Sequence, residues 1–209
     1  VFENVQGIFS AKGGSVFKDI EKGMKNLGYT FEYKLLNSNN FGVVQERKRV
    51  IIIGYKKSLG LHYPNFGKVN YEFNIRDLFE DLPFLNDGQV NNNYASSSND
   101  CLKKLKIRDD EWNILTYNEA RKVNNNDKSI YKICIQNNGI KYKDLPTNLI
   151  KHNNKESFSD RFKVVEYNKP CQTMVAHISK DGHHYIHPDI KQCRSNAGSG
   201  VAFNKTLFI

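Results

Sequence analysis

No apolar run in this chain approaches the roughly 20 residues that a membrane helix needs, so the sequence gives no sign of a membrane span. Cysteine is scarce. Cys101, Cys134, Cys171 and Cys193 stand far apart with no paired spacing, which argues against a disulfide framework and points to a reducing, intracellular setting. Proline and tryptophan are also rare, with 5 and 1 residues, and no internal repeat is visible. The first residue is Val1 and not Met, and the chain runs straight into an apolar, strand-like start, which reads as a piece of a longer polypeptide.

Negative charge is in deficit. Lys and Arg number 31 against 22 Asp and Glu, giving a net charge of +9. Such a balance favours polyanionic partners, nucleic acid first. The alternative is a compositional bias, since Lys enrichment comes with Asn runs such as Asn91-Asn92-Asn93 and Asn124-Asn125-Asn126. With 39% hydrophobic residues in a chain of 209, there is material for one large domain or two small ones.

Residues 15–27 carry a helical pattern, with Val16, Phe17, Ile20, Met24 and Leu27 on one face, Ser15 as N-cap and Gly28 as stop. Thr30 to Leu36 alternates as a strand through Phe31, Tyr33 and Leu35, and Asn37 to Gly42 is turn-rich. Val50-Ile51-Ile52-Ile53 reads as a strand buried on both faces. The first 55 or so residues are therefore part of an α/β sheet. Beyond Lys57 the periodicity weakens into an irregular α+β stretch, with a short helix expected over 76–79 and a better one over 111–122. Strands are expected over 162–167 and 173–178, followed by an Asp181-Gly182 turn into a hairpin at Tyr185-Ile186.

Gly13-Gly14 is a turn into the helix and not a phosphate loop, because the glycine–lysine order is wrong for one. His177, His183, His184 and His187, flanked by Cys171 and Cys193, invite a zinc reading. The ligand pairs at short spacing that zinc sites use are missing, so these histidines read as polar or packing groups and no metal is expected.

Several short segments in order carry a sharper message. Phe2-Glu3-Asn4-Val5-Gln6-Gly7 is followed by Leu27-Gly28-Tyr29 and Leu35-Leu36-Asn37, then by Phe41-Gly42-Val43-Val44-Gln45-Glu46-Arg47-Lys48-Arg49-Val50. Further on come Asp160-Arg161-Phe162, Lys169-Pro170-Cys171-Gln172-Thr173, the run from Ala176 to His183, and His187-Pro188-Asp189. Together these resemble the sixth to ninth conserved blocks of the bacterial DNA cytosine-5 methyltransferases, with Val44 where many members have proline. The resemblance is strong over 1–57 and 158–195 and thin between.

The resemblance implies the C-terminal part of a Rossmann-like methyltransferase sheet over 1–57. It implies an irregular α+β target-recognition domain over 58–195 and leaves a tail, 196–209, without assignment. The reaction it implies moves a methyl group from S-adenosylmethionine to C5 of a cytosine flipped out of double-stranded DNA. A cysteine thiolate attacks C6 while a carboxyl group holds the N3 and amine edge, a role that falls to Glu3. Arg49 matches the arginine at the cytosine O2 edge, and Arg47 the one that helps hold the pocket and backbone. Gln45 is expected to shape the loop and Asn4 to be structural. Arg121, Arg161 and Thr173 are the candidates for DNA contact, with structural ion pairs the alternative for the two arginines. The family's nucleophile and main cofactor loop precede Glu3 and are not among these residues. Pro170-Cys171-Gln172 imitates the nucleophile motif but stands in a different block, and nothing local marks its thiol as activated.

The expected setting is a bacterial cytoplasm, at the nucleoid, in a restriction–modification system. The N-terminal half of the same enzyme is a candidate partner, and the chain by itself is expected to be inactive. The alternative is a non-catalytic DNA-binding module or a split-enzyme subunit.

Overall fold

A computed structural model of the chain describes residues 1–69, 72–116, 118–120, 122–137, 140, 142–150, 162–174, 183 and 185–191. The chain forms two compact units, Val1–Glu72 and Phe73–Ile209, and mixes helix with strand in an α/β manner.

In the first unit, strands β1 (Phe2–Asn4), β2 (Tyr29–Asn37) and β4 (Lys48–Lys56) form a sheet in the order β1-β4-β2, with a two-residue extended segment, β3 (Gln45–Glu46), preceding β4. Both outer strands run antiparallel to β4, so β1 and β2 are parallel to each other. Parallel strands require a crossover, and helix α1 (Ser15–Asn26) supplies it.

Strand alternation sorts the side chains. Val50 and Ile52 of β4 and Phe31 of β2 face α1 and pack against Phe17, with Ile20 and Met24 beside them. Phe17 is the hub, meeting Phe9, Phe31 and Tyr33 edge-on at ring distances of 4.9, 5.4 and 4.9 Å. Gly54 makes room for the helix side chain above it, because a Cβ there would run into Met24 Cε.

Three expectations for this unit need correction. Ser15 is not the N-cap. Gly14, in the left-handed conformation at φ 86°, holds that position, and Ser15 is the first helical residue. Leu27 follows the last helical residue and is exposed, because the helix stops before the apolar stripe completes another turn. The β4 run is not buried on both faces. Val50 and Ile52 are buried, whereas Ile51 and Ile53 are half-buried on the opposite face. Residues of 58–69 return to that second face: Tyr63 donates its hydroxyl to Ile51 O at 3.1 Å, and Lys34 Nζ lies 4.7 Å from the Tyr63 ring centre.

The second unit is assembled from short helices started by asparagine. Asn74 opens α2 (Ile75–Phe79) with a complete capping box through Asp77, Asn99 opens α3 (Asp100–Lys104), and Asn124 opens α4 (Asn125–Gln136). Asn99 also bonds Asp77 O and Glu80 Oε2, tying α3 to α2. Ile130, Tyr131 and Cys134 of α4 pack with Tyr142, Leu145, Phe162 and Ile186 in one core.

The expected helix over 111–122 does not form at its described residues. Asp109 Oδ1 accepts from the backbone N–H groups of Glu111 and Trp112 and turns the chain. The segment after this turn pairs with residues 89–93 instead: Leu115 N donates to Asn92 O and Ala120 N to Gln89 O, at 2.8 Å each. The strand expected over 162–167 is reduced to one parallel bridge, Val164 to Ile186. Asp181, Gly182 and 175–178 lie outside the described residues.

One ion pair organises the loops of this unit. Arg108 Nη1 meets Asp81 Oδ2 at 2.8 Å with both side chains almost wholly buried, at 2% and 1% exposure. The rest of the guanidinium fork donates to Trp112 O, Ser96 O and Asn113 Oδ1, and its carbon lies 3.6 Å from the Tyr94 ring centre.

Two stability changes are expected. Gly54→Ala turns aside the flexible end of Met24 and costs about 1 kcal/mol or less. In urea titrations the double variant Gly54→Ala/Met24→Ala loses less than the two single changes added together. Arg108→Met leaves Asp81 buried without its cation and costs about 3–5 kcal/mol. The fluorescence of Trp112, the one tryptophan in the chain, reports that loss directly, since its carbonyl is an Arg108 acceptor.

Candidate functional site

Register brings the sharpest of the sequence motifs together. Glu3 of β1 lies opposite Ile51 of β4, and Asn4 opposite Val50. Arg49 is two residues from Ile51 and so shares its face, which makes Arg49 the diagonal cross-strand neighbour of Glu3. The side chains meet there, with Arg49 Nε 2.7 Å from Glu3 Oε1. Arg49 Nη1 also donates to Lys48 O at 2.8 Å, which fixes the guanidinium plane from a second direction. Glu3 is open, its side chain 54% exposed, while that of Arg49 is 19% exposed. The pair thus presents an acceptor and a fork of donors side by side at the end of a sheet.

The loop before β4 is fixed by two residues whose part in it the motifs do not reveal. Ser38 Oγ donates to Gln45 O at 2.6 Å and Ser38 N to Arg47 O at 3.0 Å. Asn37 Oδ1 accepts from Arg47 N at 3.0 Å. Arg47 is therefore held by its backbone between Asn37 and Ser38, with a half-buried side chain. The available signal was the Asn37-Ser38 turn itself, whose side chains are the types that bond nearby backbone. Gln45 is buried, at 3% exposure, and its Nε2 has no hydrogen-bond partner. Asn4 Oδ1 accepts from Val5 N, a local backbone contact.

Gly13 and Gly14 have left-handed φ of 64° and 86°, and a Cβ on Gly14 would lie 3.1 Å from Phe9 O. The space that this glycine opens is taken by the chain's own backbone, so it is a turn position and not a cradle for a bound group.

In the second unit, Thr173 O accepts from Tyr185 OH at 3.2 Å. Arg121 and Arg161 lie outside the described residues, as do His177, His184 and Cys193. His183 Nδ1 is 2.7 Å from Tyr131 OH, and its ring lies against Phe162. His187 stacks on Phe79, and its Nδ1 accepts from Asp189 N. Cys171 is buried, and that burial pushes its thiol up to about 12, so it is protonated at neutral pH.

Comparisons with known proteins bear on the whole arrangement. The family model described as C-5 cytosine-specific DNA methylase matches residues 1–188. The Type II methyltransferase M.Bpa9945I of Bacillus paralicheniformis is 40% identical over 218 aligned positions, covering 93% of this chain and 49% of its own length. The chain therefore spans about half of that relative. The Type II methyltransferase M.MthTI of Methanothermobacter thermautotrophicus is 41% identical over 81 positions, 39% of this chain and 24% of the relative. Among solved structures, one titled as a DNA modification methyltransferase encoded within a prophage (E. coli) shares the fold. Its TM-score is 0.51 at 18% identity, over 98% of this chain and 62% of its own. With a family model spanning nearly the whole sequence, and a relative at 40% identity over almost all of it, the chain belongs to the C-5 cytosine-specific DNA methylase family.

Proposed function

We propose that this chain supplies one wall of the cytosine pocket and the sequence-recognition part of a DNA cytosine-5 methyltransferase. The observation that carries the reading is the ion pair between Glu3 and Arg49, which sets a carboxyl group and a guanidinium side by side. The outer edge of cytosine offers an amine donor, the N3 acceptor and the O2 acceptor. Glu3 accepts from the amine and shares a proton with N3. Arg49 donates to O2 and holds the carboxyl in place. As a thiolate attacks C6 and electron density moves onto the ring, this placed pair stabilises the charge that develops at N3 and O2. Arg47, fixed by its backbone, keeps the loop that carries Arg49 in register.

The methyl donor is S-adenosylmethionine, which supplies an electrophilic methyl group for C5. Gly14 offers no cradle for it, since the space beside this glycine is taken by Phe9 O. In line with the resemblance, the donor's main site is assigned to sequence before Glu3, outside this chain. The resemblance places the nucleophile there too, and Cys171, buried and protonated, does not stand in for it. The catalytic part is assigned to 1–57, and 58–195 reads double-stranded DNA, with Arg121, Arg161 and Thr173 among its contacts. The setting is the cytoplasm of a bacterium with a restriction–modification system.

The 209 residues alone are expected to transfer no methyl group to DNA, measured as labelled methyl incorporation. Adding a separately expressed polypeptide with the family's Pro-Cys and glycine-loop blocks restores incorporation. In that mixture Glu3→Gln lowers the rate about 100-fold without matching loss of DNA affinity. Methylation by the chain alone would overturn the reading. DNA binding that never yields activity with the added half favours a non-catalytic DNA-binding module instead.

Cys171 gives an independent check. Its thiol lies far above the usual cysteine range, so at pH 8 it is uncharged and a poor nucleophile. Iodoacetamide is expected to label it much more slowly in the native chain than in urea, with peptide mass mapping as the readout. Fast native labelling would restore it as a candidate nucleophile.

A further inference from the structure

A second site stands out in the unit that begins at Phe73. A cleft of about 670 Å³ is lined by Lys103, Lys106, Ile107, Asp109, Glu111 and Trp112, with Arg108 behind them. Two features of it run against ordinary folding preference. Trp112 is 59% exposed, although an indole gains most by burial. It is not exposed by looseness: its N–H bonds Asp109 Oδ1, its indole Nε1–H bonds Ile114 O at 2.8 Å, and its carbonyl accepts from buried Arg108 Nε at 2.9 Å. The second feature is Lys106, which has φ 55°. It occupies the left-handed position of a helix-ending motif: Lys106 N bonds Lys103 O and Ile107 N bonds Leu102 O, closing α3. Glycine is the ordinary residue there, and a lysine is mildly strained.

Charge decides what such a cleft can do. Lys103 is bound to Asp110 at 2.6 Å, and Asp110 also accepts from Ser98 Oγ. The Asp109 carboxylate accepts two backbone N–H groups. With Lys103 and Arg108 taken up by their own carboxylates, the lining offers Lys106 as a donor, Glu111 as an acceptor and the Trp112 indole as an apolar plane. A surface built to grip phosphates would be cationic throughout. One donor, one acceptor and one apolar plane match base edges instead. Lysine suits guanine O6 and N7, a carboxylate accepts from the cytosine amine, and an apolar plane packs against a thymine methyl.

Resting on the proposed DNA-methyltransferase role, we infer that Lys106, Glu111 and Trp112 are specificity-determining residues that read base edges in the major groove of duplex DNA. The buried Arg108–Asp81 pair positions them by fixing the loop from below.

The test is selection from a pool of duplexes with a randomised core by the 209-residue chain, followed by sequencing. The wild-type chain is expected to enrich a consensus. Glu111→Gln and Trp112→Ala each relax it at one position, with affinity for the selected sequence falling about 5- to 100-fold and affinity for the unselected pool held. Lys106→Gly is the sharpest variant. Glycine relieves the left-handed strain, so its melting temperature stays level or rises while one base preference is lost. Three variants that enrich the unchanged consensus at unchanged affinity would sink the inference and leave the proposed function standing. An even loss of affinity across all sequences would overturn it too, by making these residues phosphate contacts. A wild-type chain that enriches nothing overturns this inference, and the proposed function falls with it only if methylation with the added half fails as well.

Discussion

The register of one antiparallel strand pair governs what the first unit can present. With Glu3 opposite Ile51, every odd-numbered residue of β4 from Arg49 to Tyr55 lies on the face that carries Glu3, and Val50 and Ile52 turn inward to Phe17. A slip of one residue would send Arg49 into the aromatic core and bring Val50 out. Burial of Val50 and Ile52, at 0% and 1% exposure, makes that slip costly. Two fully buried aliphatic side chains are worth roughly 3–6 kcal/mol of transfer free energy. The polar pair is thus held in place by an apolar pattern on the opposite side of the same strand, and the core and the candidate site are two faces of one constraint.

The second unit solves a different problem. Its elements are short, and helices of five residues do not persist by their own propensity. Asparagine side chains at Asn74, Asn99 and Asn124 start the helices, and the buried Arg108 fork collects carbonyls from loops that would otherwise have no regular partner. Buried backbone acceptors must be satisfied, and one guanidinium with five donors meets that need for several turns at once. Such a framework lets intervening loops vary in shape while their anchor stays put.

How far the sequence could be read depends on which interactions are local. The α1 stripe, the β2 alternation and the β4 run were legible because apolar periodicity on a sheet or helix is a local signal. Helix α4 was not, because Asn124-Asn125-Asn126 looked like compositional drift, although Asn124 is its N-cap. The segment from Glu111 looked helical by spacing, and the Asp109 turn together with pairing to residues 89–93 overrode it. In the candidate site, Glu3 and Arg49 were found through motif resemblance, whereas composition alone would have left both as solvated charges. Their contact depends on strand register, which no single segment encodes. The Asn37–Ser38 latch was hidden for the same reason, since it bonds residues seven to ten positions away.

The two arginine–carboxylate pairs also separate structure from chemistry by magnitude. A buried pair broken on one side costs about 3–5 kcal/mol, so Arg108 and Asp81 cannot part to meet a ligand without loosening the loops they hold. The Glu3–Arg49 pair lies between the buried and the exposed limits, with Arg49 at 19% exposure and still bonded to Lys48 O when Glu3 moves, so it stands well below that cost. Glu3, more than half exposed, can therefore leave or share Arg49 at a cost that a few hydrogen bonds to a bound base would offset. Opening the pair frees an acceptor and a donor that stand side by side. It is the weaker of the two ion pairs that has the physical character of a binding site, and the stronger one that has the character of a structural anchor.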